Sequence, residues 1–142
     1  MKRSRGFFKI PATNEGPAGD THIALWAITD DPALPLEAKS LILDPGNIVF
    51  VSAANLWEIT IKHAIKPKLM PISGSRALLL FRGSGYWFLD ISPWHATKVE
   101  ELPPFHQDPF DRMLVAQAIS EPLVLLTHDR QVARYGESII LF

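Results

Sequence analysis

Leu123-Val124-Leu125-Leu126-Thr127 is the run on which the reading of this chain turns. An unbroken aliphatic stretch without polar alternation describes a strand buried on both faces, the form strands take in parallel sheets covered by helices. Upstream, Asp108-Pro109-Phe110-Asp111 has the form of a helix start: an Asp cap, a proline at the first helical position and an acid in the first turn. Met113, Leu114, Ala116, Gln117 and Ala118 continue that helix towards Pro122. Downstream, a short helix over 130–135 leads to a closing strand, Ile139-Ile140-Leu141-Phe142.

The same alternation extends towards the N-terminus. Ile48-Val49-Phe50-Val51 is a β-prone run, expected to be buried on both faces, and Ser52 then opens a long helix that Pro67 stops. A leucine-rich helix is expected over 73–82, a short strand at Trp87-Phe88-Leu89-Asp90-Ile91, and a further helix from Trp94 to Leu102. Pro35 leads into a helix over 35–43, ended before Asp44-Pro45-Gly46. Ahead of it, Ile23, Ala24, Ala27 and Ile28 repeat at helical spacing behind the cap-like Asp20-Thr21. Strands alternating with helices predict an α/β domain with a mainly parallel sheet over 17–142, preceded by an atypical segment, 1–16.

Composition narrows the chemistry. With 142 residues, 47% apolar and 20% charged, the chain supports one domain with a real core. A formal charge of −1 argues against coating a duplex, although not against gripping a short stretch of backbone with a few cations. The absence of cysteine excludes disulfides, thiolate zinc sites and thiol nucleophiles. No run reaches the ~20 apolar residues of a membrane span, and the opening basic residues lack a signal peptide's apolar core, so the expected compartment is the cytoplasm. There is no His-Glu-x-x-His, no nucleophile elbow and no P-loop. The histidines read as surface or half-buried residues, and Trp26, Trp57, Trp87 and Trp94 as core packing.

Four carboxylates stand where such a sheet presents chemistry. Asp20 precedes the first helix, Glu58 lies one to two turns into the helix after the Ile48–Val51 strand, Asp111 opens another helix, and Asp129 follows the Leu123–Thr127 strand. Each has an ordinary reading. Asp20 and Asp129 serve as helix caps, Asp111 as a first-turn acid favoured by the helix dipole, and Glu58 as the i,i+4 partner of Lys62 on a solvated face. Jointly, three of them fall at the carboxyl edge of the sheet, where open α/β sheets bind ligands, and Glu58 lies within reach of it. Clustered carboxylates repel, and a set of hard oxygen ligands without His or Cys suits Mg²⁺ or Mn²⁺.

Four blocks then resemble one family. Asp20-Thr21-His22 with Leu25-Trp26, Val51-Ser52-Ala53-Ala54 with Leu56-Trp57-Glu58-Ile59, His106 through Ala118, and Leu126-Thr127-His128-Asp129 are similar, in order and spacing, to the blocks of VapC-type PIN domains. The resemblance implies a three-layer α/β/α fold with a five-stranded mainly parallel sheet. It implies Asp20, Glu58, Asp111 and Asp129 around one or two Mg²⁺ or Mn²⁺ ions, with Asp20 and Asp111 as main ligands, Glu58 completing the shell or orienting the water, and Asp129 tuning it. The implied reaction is hydrolysis of RNA phosphodiester bonds by the toxin of a toxin–antitoxin pair, with a small antitoxin as partner. Arg112, Arg130 and Lys62 are candidates for phosphate contacts, and Asp108 for a helix cap.

Two departures set expectations. Pro67-Lys68-Leu69 stands where the family has Gly-Lys-Leu. Gly16-Pro17-Ala18-Gly19 stands where the family has an apolar first strand, which predicts a short or absent strand there and weakened metal binding. The alternative function is a catalytically impaired PIN-like binding module with a decayed metal site. A phospho-acceptor receiver would need a late lysine, and none follows Lys98; a dehalogenase-like phosphatase would need a second acid beside Asp20. The apolar helices at 35–43 and 73–82 predict a homodimer and antitoxin docking.

Overall fold

The computed structural model describes residues 3–7 and 23–142. Among the described residues the strands are β1 (Arg3–Phe7), β2 (Asn47–Ser52), β3 (Trp87–Leu89), β4 (Leu125–Thr127) and β5 (Ile139–Leu141). The helices are α1 (Ile23–Ile28), α2 (Leu36–Leu43), α3 (Ala53–Ile65), α4 (Gly74–Gly83), α5 (Pro93–Lys98), α6 (Pro109–Ser120) and α7 (Arg130–Ala133), with a 3-10 turn over Val99–Glu101. Each expected element from residue 23 onward is present, within a few residues of its expected bounds.

Every ladder pairing is parallel, as the alternation of strands and helices requires. The strands form a sheet of three, β1-β2-β3, and a sheet of two, β4-β5, and β1 also contacts β4. The expected five-stranded sheet is therefore interrupted between β1 and β4 among the described residues. β1 lies upstream of the stretch expected to carry the first strand. Arg3–Phe7 pairs with β2 in a register that shifts between Arg5 and Phe7. Residues 16–19, on which the degraded first strand was expected, lie outside the described residues.

The two faces of the sheet bury separate apolar clusters. Val49, Val51 and Leu126 join Ile23, Ala38, Ile59, Ala77 and Phe81 on one side; Leu125 joins Ala54, Leu114, Val115 and Val132 on the other, with Phe50 and Ile139 packed against them. Adjacent Leu125 and Leu126 pointing to opposite clusters is the period-two alternation of a strand covered on both faces. β4 is buried throughout, whereas β2 buries Val49 and Val51 and leaves Ile48 and Phe50 half-buried. α3 and α4 meet closely enough that a side chain at Gly74 would collide with Thr60, so only glycine fits.

Candidate metal centre

Three local devices deliver the acids. Ser52 caps α3, its Oγ accepting from Ala54 N at 3.0 Å while Asn55 Oδ1 accepts from Ser52 N at 2.9 Å, and the helix so started carries Glu58 inward. Asp108 caps α6 by accepting from Phe110 N at 2.8 Å and Asp111 N at 3.1 Å, which turns Asp111 into the interior. Asp108 is thus the helix cap, as expected. Asp129 divides its work: Oδ1 caps α7 by accepting from Gln131 N at 2.8 Å, which leaves Oδ2 for the site. Its own N–H donates to Thr127 Oγ1 at 3.0 Å, locking the chain where it leaves β4.

Asp111 and Asp129 meet on a histidine. His106 Nε2 lies 3.0 Å from Asp111 Oδ2 and 3.0 Å from Asp129 Oδ2. Among the described residues these three form the one group able to close around a metal ion, with ligand atoms mutually within 4.8 Å. Asp108 N donates to His106 Nδ1 at 3.0 Å, so the ring's proton sits on Nε2, between the carboxylates. The hydrogen bond to Asp111 and the charges of both acids push the His106 pKa up to about 9, against burial, which lowers it. A second proton on Nδ1 would have to displace the Asp108 contact, so geometry opposes part of that rise.

Glu58 stands outside this close group. It is fully buried, and Lys62 Nζ lies 2.6 Å from its Oε2. Burial pushes its pKa up to about 8; Lys62 pulls it down, and the charges of Asp111 and Asp108 push it up again. The pair expected on a solvated face is therefore made, but turned inward. Asp20 lies outside the described residues.

Arg112, a candidate phosphate contact from the sequence, is already engaged. Its Nη1 donates to Pro103 O and His106 O at 3.0 and 3.3 Å and to Tyr135 Oη at 3.1 Å, and its Nη2 to Val99 O at 3.0 Å. It builds the loop that presents His106. Arg130 is exposed beside Asp129. Sequence reasoning missed His106. The available signal was its place two residues before an Asp-Pro helix start, within the third block of motif residues.

The donor set fits a hard divalent cation. Carboxylate oxygens of buried Asp111 and half-buried Asp129 converge from two helix starts, and Glu58 Oε1 is buried without a hydrogen-bond partner among the described residues. Residues 19–138 match the PIN-domain family. The chain belongs to the PIN-domain family. No curated protein matches it. Among solved structures it is similar to VapBC2 from Rickettsia felis, crystallised bound to a DNA fragment from its promoter, at 17% identity and a TM-score of 0.65, with 99% of this chain and 98% of that chain covered. At that identity the likeness concerns the fold alone.

For this PIN domain the tryptophan reading needs correction. Trp26 is buried, but Trp57, Trp87 and Trp94 are exposed. Trp57 and Phe110, sequence neighbours of Glu58 and Asp111, pack edge to face at 5.3 Å and line a recess of about 350 Å³ with Ala54, Gln107 and Met113. Among the described residues no helix is long and apolar enough to cross a membrane.

Proposed function

We propose that this PIN domain is a Mg²⁺- or Mn²⁺-dependent endoribonuclease and the toxin of a toxin–antitoxin pair, acting in the cytoplasm. The observation that carries the reading is the meeting of Asp111 and Asp129 on His106 Nε2. Two ionised carboxylates at this range repel unless a cation or a proton stands between them, and here the His106 Nε2 proton does so. Asp111, Asp129, Asp20 and Glu58 would hold the ion. Bound there, it would supply Lewis acidity for activating water and offsetting the phosphate's charge. Asp108 and Thr127 fix the angle at which Asp111 and Asp129 enter, Arg112 holds the loop bearing His106, and burial keeps bulk water from Asp111 and Glu58 while Asp129 stays partly exposed.

The Trp57–Phe110 recess favours a single-stranded substrate, since an unpaired base can lie against aromatic rings and a paired one cannot. Exposed Arg130 beside Asp129 suits a backbone phosphate. Leu36 and Leu43 on α2 and Leu78 and Leu79 on α4 stay exposed, which supports a homodimer contact and an antitoxin docking face on these helices.

The deciding experiment is cleavage of single-stranded RNA by purified protein with Mn²⁺ or Mg²⁺. Cleavage should stop in excess chelator and in Asp111→Ala while the fold is retained; activity persisting in either would remove the metallonuclease reading. One observation favours the second reading, an impaired binding module: Lys62 already occupies Glu58. That reading expects RNA binding without cleavage at any metal concentration.

A further inference from the structure

A buried polar chain links the two helices that carry Glu58 and Asp111. Ser52 Oγ donates to Gln117 Oε1 at 2.6 Å, and both side chains are fully buried. Gln117 Nε2 donates to Asp90 O at 3.2 Å and approaches His95 Nδ1 at 3.4 Å. Nδ1 also accepts from Ser92 N at 3.0 Å, so it carries no proton, and Nε2–H donates to Glu121 Oε2 at 2.7 Å. Every donor from Ala54 N to His95 points the same way, towards Glu121. That polarity, with Asp90 O as a pure acceptor, permits one orientation of the Gln117 amide. His95, expected near the surface, is buried in this chain.

We propose that the Ser52–Gln117 bond is a positioning strap that sets where Glu58 stands relative to Asp111, anchored through His95 by Glu121. The proposal rests on the nuclease reading for its functional consequence. Ser52 caps the helix that carries Glu58, and Gln117 lies on the helix whose first turn holds Asp111. Around the bond the buried packing includes Ala54 and Ala118, small residues whose apolar contact is non-directional and tolerates sliding. A short, dry hydrogen bond does not, because its strength falls steeply with angle. Ser52 and Gln117 are positioning residues; they touch neither the carboxylates nor a substrate.

The chain has no cysteine, so two introduced at exposed Ala64 on α3 and Ser120 on α6 can carry spin labels without background. In that labelled protein, Gln117→Met and Ser52→Ala should each broaden the interhelical distance distribution, and Ser52→Thr, which keeps the hydroxyl, should restore it. In unlabelled protein the same two variants should slow single-turnover RNA cleavage about tenfold without changing RNA affinity. The double variant should be within about twofold of either single, as for partners in one bond. Phe81→Leu, which loosens the opposite apolar cluster, should lower Tm and leave width and rate alone. Unchanged width in Gln117→Met and Ser52→Ala, or the same broadening in Phe81→Leu at equal Tm loss, would overturn the strap. Should Gln117→Met not fold, Ser52→Ala alone decides. Should the wild type cleave no RNA, the nuclease reading fails, and the distance distributions still judge the strap.

Discussion

Lys62 lies one helical turn beyond Glu58, and its Nζ meets Glu58 Oε2 at 2.6 Å in a pair whose acid is wholly buried. Replacing Lys62 by methionine leaves a buried carboxyl with neither water nor a cation. Because burial already holds the Glu58 pKa at about 8, the group can take up a proton instead, which limits the loss. Urea denaturation near neutral pH should show Lys62→Met less stable by about 1–3 kcal/mol. Equal stabilities would mean the pair contributes nothing to the fold.

His106 should titrate above the ordinary imidazole range in metal-free protein. Its raised pKa, about 9 against 6.5, is stability present below pH 6.5 and lost as pH rises through the folded value. Glu58 acts in the same direction, its contribution full below pH 4.5 and lost as pH rises through about 8, so metal-free protein should weaken from mildly acid pH up to about 9. The hydrogen bond to Asp111 is the largest cause of the His106 shift, so Asp111→Asn should bring it back towards 6.5. Imidazole proton NMR titration reads this directly; an unshifted His106 in the wild type would contradict it.

Divalent cation should stabilise the native state by mass action. At a hundredfold excess over Kd the gain is about 2.7 kcal/mol, visible as a rise in Tm with Mn²⁺. Asp111→Ala and Asp129→Ala should each abolish the rise. A rise that survives both substitutions would place the ion elsewhere.

Arg112→Lys should loosen the loop that holds His106. A lysine cannot reproduce a planar fork that reaches the carbonyls of Val99, Pro103 and His106 together. Hydrogen exchange over residues 99–107 should quicken, with a stability loss of about 1–3 kcal/mol. Exchange equal to the wild type would show that the loop is held by other contacts.

Leu36 and Leu79 should report on assembly. If α2 and α4 meet a second copy or an antitoxin, Leu36→Glu with Leu79→Glu should yield a monomer by light scattering where the wild type is a dimer. A wild type that stays monomeric at high concentration, and that purifies with no small partner, would speak against that face.

What the sequence made legible follows physical locality. The α6 start was readable because Asp108 and Pro109 act on their own backbone, and β4 because aliphatic residues alone occupy it. Glu58, Asp111 and Asp129 could be named from motif positions. Their neighbours could not. His106 reaches the acids through a loop shaped by Arg112 and Tyr135, and those contacts cross some 30 residues of chain. β1 was missed because Arg3-Ser4-Arg5-Gly6 has neither alternation nor β-branched residues; pairing with β2 overrides its weak propensity. The exposed tryptophans were misread for a related reason, since composition says how apolar a helix or strand is and not which side is covered.

The position of β1 bears on how this protein can be cut. The stretch matching the family, residues 19–138, leaves out β1 at one end and all of β5 at the other. A fragment trimmed to it would strip the partner from one side of β2 and from β4, baring two rows of backbone donors and acceptors. Bare strands of that kind recruit one another, so the trimmed fragment should precipitate or form fibrillar aggregates where the longer chain stays in solution.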